Sequence, residues 1–285
     1  MKPRIVAIIQ ARMASSRLPD KVLLDIGNQP MLAWVVERTR MAHTIDEVVV
    51  ATTTDATDDA IFNFCQRRGY PVYRGSAYDV LDRYYQAARL HHADVIVRIT
   101  ADCPLIDPAL IDSVVSILLG TIHPEQGLVP ALAQDNLLEA RDEAHPSQYP
   151  YDFACSRLPP PWGRTYPIGL DIEVCSFQGL ELAWQEADLP HQREHVMPFF
   201  YEQPQRFRIY LLNHPVDYGY LRWTVDTTQD LQLLRQISAY FEGRMDFSWL
   251  EVLQLVQSHP HLAQLNAQVQ AKDYRLIDQR STHGN

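Results

Sequence analysis

"RIVAIIQARMASSRLPDKVLLDI", residues 4–26, passes from an unbroken apolar run into a loop that carries Arg12, Ser15, Ser16, Arg17 and Lys21. The run reads as a buried strand. Three cations and two hydroxyls in the first turn after it point to an anion. Backbone N–H groups, hydroxyls and fixed positive charge together make a phosphate cradle. The plainer reading, solvated surface charges that happen to fall in a loop, stays open at this point. The loop is not a Walker A motif, because no glycine occurs before Gly27.

The same rhythm repeats along the chain. "MLAWVVERTRMA", "DDAIFNFCQRRG", "DVLDRYYQAARLHH" and "PALIDSVVSILLG" read as helices, and they alternate with the strand-like "EVVVAT", "PVYRG" and "DVIVRIT". This alternation predicts an α/β fold with a mostly parallel, doubly wound, Rossmann-like sheet, whose ligands sit beyond the carboxyl ends of its strands. Residues 123–169, rich in Pro and Tyr, read as an irregular insertion that covers or extends the site. The pattern resumes with "LDIEVCS", "FQGLELAWQEA", "FRIYLLN" and "LRWTVDTTQDLQLLRQISAYF", the last a strand, a turn and a helix. The expected organisation is one domain over residues 1–242, followed by a helical C-terminal extension over 243–285.

Of the 285 residues, 46% are hydrophobic, enough for a sizeable core, which excludes a disordered or fibrous chain. A formal net charge of −10 argues against nucleic acid and anionic membranes as partners. The loop cations stand out against that acidic background. Cys65, Cys103, Cys155 and Cys175 form no C-x-x-C pair, so neither a zinc ribbon nor a disulfide framework is expected, and a reducing cytoplasm fits. No apolar run reaches the roughly 18 residues of a transmembrane helix, and the first residues do not form a signal peptide.

Two carboxylates complement the loop. "VIVRITADCPLID" places Asp102 two residues beyond a buried strand, and "LRWTVDTTQDL" places Asp226 at the end of another. Both should open at the sheet edge that bears the cations. There Mg2+ would take one or two carboxylates together with nucleotide phosphate oxygens and water. Taken singly, Asp102 also fits an Asx turn, and Asp226 a helix cap before Thr227 and Thr228. Cys103 reads as a core residue, and Trp34, Tyr84, Tyr85 and Trp184 as packing.

The opening stretch resembles the signature of the cytidylyltransferases that make CMP-activated sugars. "VYRGSAYDVLDRYYQAA", "VIVRITADCPLIDPALID", "YPIGLDIEVCSFQGLELAWQEA", "REHVMPFFY" and "WTVDTTQDL" are similar to blocks of the spore coat polysaccharide biosynthesis protein F subgroup. The resemblance covers most of residues 4–235. It implies a fold of the nucleotide-diphospho-sugar transferase type and a Mg2+-dependent transfer of CMP from CTP to a sugar, sugar acid or related cell-surface precursor. Ala11, Arg12, Ser15, Ser16, Arg17, Leu18, Pro19 and Lys21 match positions that hold the base and triphosphate of CTP, with Gly75, Ser76 and Arg83 as further nucleotide contacts. Arg17, Lys21, Asp102 and Asp226 would be catalytic, and the two aspartates would bind Mg2+. Two departures stand out: Asp20 replaces the usual glycine before the lysine, and Arg157 replaces an asparagine. Glu173, Arg193 and His195 are expected near the acceptor, or in a buried polar network that fixes a loop. The partners implied are CTP and a small sugar-type acceptor, and a homodimer is compatible with the chain.

Two competing readings belong to other enzyme classes. A glycosyltransferase on the same general fold would hold a nucleotide sugar through an Asp-x-Asp motif, yet Asp102 is followed by Cys103 and Pro104. "HQREH", residues 191–195, fits H-x-x-E-H, in which His191 and His195 would bind zinc and Glu194 would act as general base. Pro190 and Pro198 leave little helix for it.

Overall fold

The computed structural model describes residues 2–122 and 148–270. In chain order its strands are β1 (Ile5–Gln10), β2 (Asp25–Ile26), β3 (Gln29–Pro30), β4 (Glu47–Thr53), β5 (Val72–Gly75), β6 (Val95–Thr100), β7 (Phe153–Cys155), β8 (Glu173–Ser176) and β9 (Ile209–Leu211). Its α-helices are α1 (Met31–Arg40), α2 (Asp59–Arg68), α3 (Val80–Leu90), α4 (Pro108–Leu119), α5 (Phe177–Glu186), α6 (Pro190–His195), α7 (Pro198–Tyr201), α8 (Thr228–Tyr240), α9 (Trp249–Ser258) and α10 (Pro260–Gln264).

Apart from the β2–β3 hairpin, the described strands form one sheet in the order β5-β4-β1-β6-β8-β7-β9. β5, β4, β1 and β6 run parallel, and β8 alone opposes the other described strands of that sheet. The expected α/β, mostly parallel architecture is therefore what the chain adopts. From β1 the chain crosses to β4 and β5 on one side, then returns to β6 on the other. This reversal opens a crevice at the carboxyl end of β1. Gln10 is level with Ala51 of β4 and Thr100 of β6, so the loops that follow all three strands emerge at one edge.

Both faces of the sheet are covered, which explains why β1 is apolar from Ile5 to Ile9. Ile5, Ala7 and Ile9 point into a core shared with α1, α2, α4 and α8, and Val6 and Ile8 into a second core built with α3, α5 and α7. Each such valine or isoleucine contributes about 1.5–3 kcal/mol on burial. Capping residues fix where the helices begin. Asp79 accepts from Asp82 N at 2.8 Å, Asp107 precedes Pro108 and accepts from Leu110 N at 3.0 Å, and Thr227 forms a reciprocal capping box with Asp230.

Three local expectations are revised. The Pro- and Tyr-rich stretch contains β7, whose Phe153, Ala154 and Cys155 are wholly buried between β8 and β9. Its part at 123–147 lies outside the described residues. The strand expected at "LRWTV" is not a full sheet member: Arg222 forms an isolated bridge with Ile168, and Val225 N donates to Asp102 O at 2.9 Å. Gly169 permits that approach. Its φ is +107°, and a Cβ there would lie 2.6 Å from Thr224 N and 2.7 Å from Trp223 C. Finally, the residues after 242 do not stand apart, because Phe247, Trp249, Val252, Leu253, Val256 and Leu262 are buried in the same core as β1 and α1.

Candidate active site

The loop after β1 is pinned at several points. Ala11 N donates to Ala51 O at 3.1 Å, and Met13 N donates to a carboxylate oxygen of buried Asp58 at 2.7 Å. Asp20 N closes the loop on Met13 O at 3.1 Å. Asp20 itself has φ +58°, in the left-handed region that glycine enters freely. An aspartate tolerates it at modest cost. The loop thus delivers Lys21 to the crevice as the first residue of a 3-10 turn.

Lys21 Nζ donates to Asp102 Oδ2, to Asp226 Oδ1 and to Val225 O, each at 2.8 Å. Arg17 Nη2 lies 2.6 Å from Asp226 Oδ2, and Arg222 Nη2 donates to the same oxygen at 2.7 Å. The two carboxylates, far apart in sequence, therefore share one ammonium group. Burial pushes Lys21 toward neutrality, but the charges and hydrogen bonds of Asp102 and Asp226 outweigh it and raise its pKa. Burial likewise pushes Asp102 up, and the Lys21 ammonium overrides it, holding the carboxyl below its ordinary value. The backbone enforces this meeting: Val225 N and Thr224 Oγ1 both donate to Asp102 O at 2.9 Å.

A second group lies over β4 and β5. Arg12, Ala14, Thr53, Asp55, Ala77, Tyr78 and Glu194 line an open cleft there. Arg12 Nη2 is 3.9 Å from Glu194 Oε1. Ser15 Oγ accepts from Leu18 N at 3.4 Å, and Ser16 belongs to the same loop. Gly75 ends β5, and Ser76 Oγ accepts from Asp79 N at 3.0 Å. Arg83 is buried and donates to Ser76 O, so it holds the loop from beneath rather than facing solvent.

The third group is a buried chain of charge beside the crevice. Glu173, 2% exposed, is bonded to Arg98 and lies 3.5 Å from Arg157 Nη2. Arg98 Nη2 donates to Gln10 Oε1 at 3.0 Å, while Arg157 Nε is 3.8 Å from Asp171. Among the described residues, His195 Nε2 is buried without a hydrogen-bond partner. Burial, with Arg98, Arg157, His191 and Arg12 nearby, pushes its pKa down to about 4. Arg193 is not in this group. Its guanidinium holds Asp79, the cap of α3, at 2.5 Å and donates to Trp184 O at 2.7 Å, stapling α6 to α3 and α5.

"HQREH" does not assemble as a metal site. His191 Nε2 lies 2.8 Å from Glu202 Oε1, Glu194 faces Arg12, and His195 has the charges of Arg98 and Arg157 nearby. Among the described residues no three His, Cys, Asp or Glu side chains gather as metal ligands. No described helix is long and apolar enough to cross a membrane. Sequence reasoning missed Asp58, Arg222 and Asp230. Asp58 follows β4 at the same sheet edge, and Arg222 is a cation inside an apolar run; those were the available signals.

Residues 6–144 match the sequence model of a family described as cytidylyltransferase. An uncharacterized protein of Methanocaldococcus jannaschii is 33% identical over 97% of this chain and 100% of its own length. The spore coat polysaccharide biosynthesis protein SpsF of Bacillus subtilis is 30% identical, over 91% of this chain and 96% of that protein. A solved cytidylyltransferase from Leptospira borgpetersenii serovar Hardjo-bovis superposes with a TM-score of 0.75 at 28% identity, covering 96% of this chain and 99% of the other. Likeness of this extent, on a chain that carries the expected loop, sheet and paired aspartates, means that the protein belongs to the cytidylyltransferase family and is a nucleotidyltransferase.

Proposed function

We propose that the protein transfers CMP from CTP to a sugar, sugar acid or related polysaccharide precursor in a Mg2+-dependent reaction that releases pyrophosphate. The observation that carries this reading is the cluster around Lys21: two carboxylate oxygens and a carbonyl oxygen at one distance from one cation. Hard divalent ions take such oxygens, so Asp102 and Asp226 fit Mg2+ once Lys21 turns toward phosphate. Bound there, the ion would offset charge on the phosphate oxygens.

The remaining roles fall to the chain's own residues. The cleft of Arg12, Thr53, Asp55, Ala77 and Tyr78 takes the base, with Ala11, Ser15 and Ser16 along the loop and Gly75, Ser76 and Arg83 shaping its far wall. Arg17 and Lys21 meet the triphosphate, and their fixed charge favours the transition state over the ground state as charge builds on the leaving pyrophosphate. An acceptor oxygen bonds to the α-phosphorus as the bond to the β-phosphate oxygen breaks. The acceptor lies toward Glu173, Arg157 and His195, whose neutral ring turns a buried Nε2 to it that has no hydrogen-bond partner among the described residues. Arg193 shapes that region through α6. In this reading the enzyme works in the cytoplasm.

The test is pyrophosphate release with each nucleoside triphosphate, Mg2+ and a panel of phosphorylated sugars, sugar acids and phosphonates. CTP should be the donor consumed. Preference for GTP, or no release with any pair, overturns the reading. SpsF is named for spore coat polysaccharide biosynthesis, which favours cell-surface sugars in the panel.

A further inference from the structure

The last described residues return to the site from the far end of the chain. Asn266 is 4% exposed, and its Nδ2 donates to Arg222 O at 2.9 Å and to Asp230 Oδ1 at 2.8 Å. Asp230, wholly buried, accepts from Arg222 Nε at 3.0 Å, from Asp226 N at 3.0 Å, from Thr227 N at 2.9 Å and from Thr227 Oγ1 at 2.9 Å. Arg222 in turn donates to Asp226 Oδ2 at 2.7 Å. Asp226 is therefore gripped twice, at its backbone N–H by Asp230 and at its carboxylate by Arg222. A few residues further on, Gln270 O accepts from Arg17 Nη1 at 3.4 Å.

We propose that Asn266 is a positioning residue: with Asp230 and Arg222 it forms a clamp that sets the Asp226 carboxylate, so that the C-terminal segment completes the site. The proposal rests on the reading of Asp226 as a ligand of the CTP-bound cation. A carboxylate bonded to Lys21, Arg17 and Arg222 has three cations that can each draw it away. Its aim is fixed only if one of them is immobile. Arg222 is the immobile one, because its other nitrogen is bound to a carboxylate with no exposure to water, and Asn266 holds both members of that pair. Asn266 suits the task because one amide nitrogen has two N–H donors, one for each acceptor. Loosening the clamp should weaken the hold on a divalent ion while leaving the base cleft, which lies over β4 and β5, intact.

The test compares the full-length wild type with Asn266→Ala, Arg222→Lys and Gln270→Ala. Mn2+ binding in the presence of CTP is followed by electron paramagnetic resonance, CTP binding without metal by calorimetry, and amide exchange of residues 226 and 227 in the free protein. Asn266→Ala should bind Mn2+ about 10-fold more weakly, the scale seen when a residue that orients a metal ligand is removed. Its metal-free CTP affinity should stay unchanged, and its exchange at 226–227 should be faster. Gln270→Ala should match wild type, since only the carbonyl of that residue is used. Arg222→Lys, which cuts the link without touching the tail, carries the same expectation as Asn266→Ala and decides the matter if that variant does not fold. Mn2+ affinity within twofold of wild type in a folded clamp variant, or unaltered exchange at 226–227, overturns the proposal. If the wild type takes up no Mn2+ with CTP, the nucleotide reading fails, and the exchange measurement alone judges the clamp.

Discussion

An ammonium group that donates to two carboxylates and a carbonyl cannot be removed without leaving those oxygens facing one another. Lys21→Met should therefore do more than slow turnover by roughly 10²-fold, the scale for loss of one charge-stabilising donor. It should also lower stability by about 1–3 kcal/mol, because Asp102 and Asp226 lose their shared partner. Added Mg2+ should then raise the melting temperature of the variant more than that of wild type; an equal response would show that the aspartates do not form a cation seat. His195 gives a pH signature. It titrates at about 4 instead of 6.5, so between those values the unfolded chain takes up a proton that the folded chain refuses. Stability is complete above pH 6.5 and falls as pH drops through that window, by at most about 1.4 kcal/mol per unit. Urea midpoints at pH 7.5 and 5 should differ less in His195→Gln than in wild type, and identical losses would rule out this contribution.

Elements built from long apolar runs were legible in the sequence, and those defined by a meeting of distant segments were not. β1, β4 and β6 are buried on both faces, so each carries a run of consecutive apolar residues that announces it. β7 is only three residues long among prolines, too short for a period to show. The loop cations and Asp102 were found because they follow the apolar runs of β1 and β6, and Asp226 because it follows the short apolar run of residues 221–225. Asp230 was missed, because its task of holding Arg222 and Asn266 depends on segments that pass it in space. Leu221–Asp226 shows how little slack these meetings allow. Gly169→Ala would set a Cβ 2.6 Å from Thr224 N, a backbone atom that cannot step aside without moving Val225 off Asp102 O. Stability should fall by more than about 2 kcal/mol, and turnover should drop further than a Gly→Ala change at exposed Gly69, where nothing lies within 4 Å. Equal effects at the two glycines would mean that the strip is not the element that joins the aspartates.

At the scale of the molecule, the C-terminal helices are part of the main core rather than an appendage. Arg38, wholly buried in α1, donates to Ile106 O at 2.8 Å and to Phe247 O at 3.0 Å, and also bonds Met245 O. A chain ending at residue 244 would leave that guanidinium short of acceptors and uncover the apolar sites of Trp249, Val252 and Leu262. Such a truncation should be insoluble or protease-sensitive in pulse proteolysis; a folded, resistant product would refute the shared core. The return of Asn266 and Gln270 to the first loop also has a consequence in time. Translation delivers β1, its cationic loop and Asp102 first, and Asn266 and Gln270 come roughly 165 residues after Asp102, about 8–33 s at ordinary ribosomal rates. During that interval a newly made half-sheet carries a basic loop with no finished pocket around it. Nascent chains stalled after residue 245 should therefore be cut by protease where chains extended past 270 and clear of the ribosome resist; equal sensitivity would show that residues 266–270 are not needed to close this region.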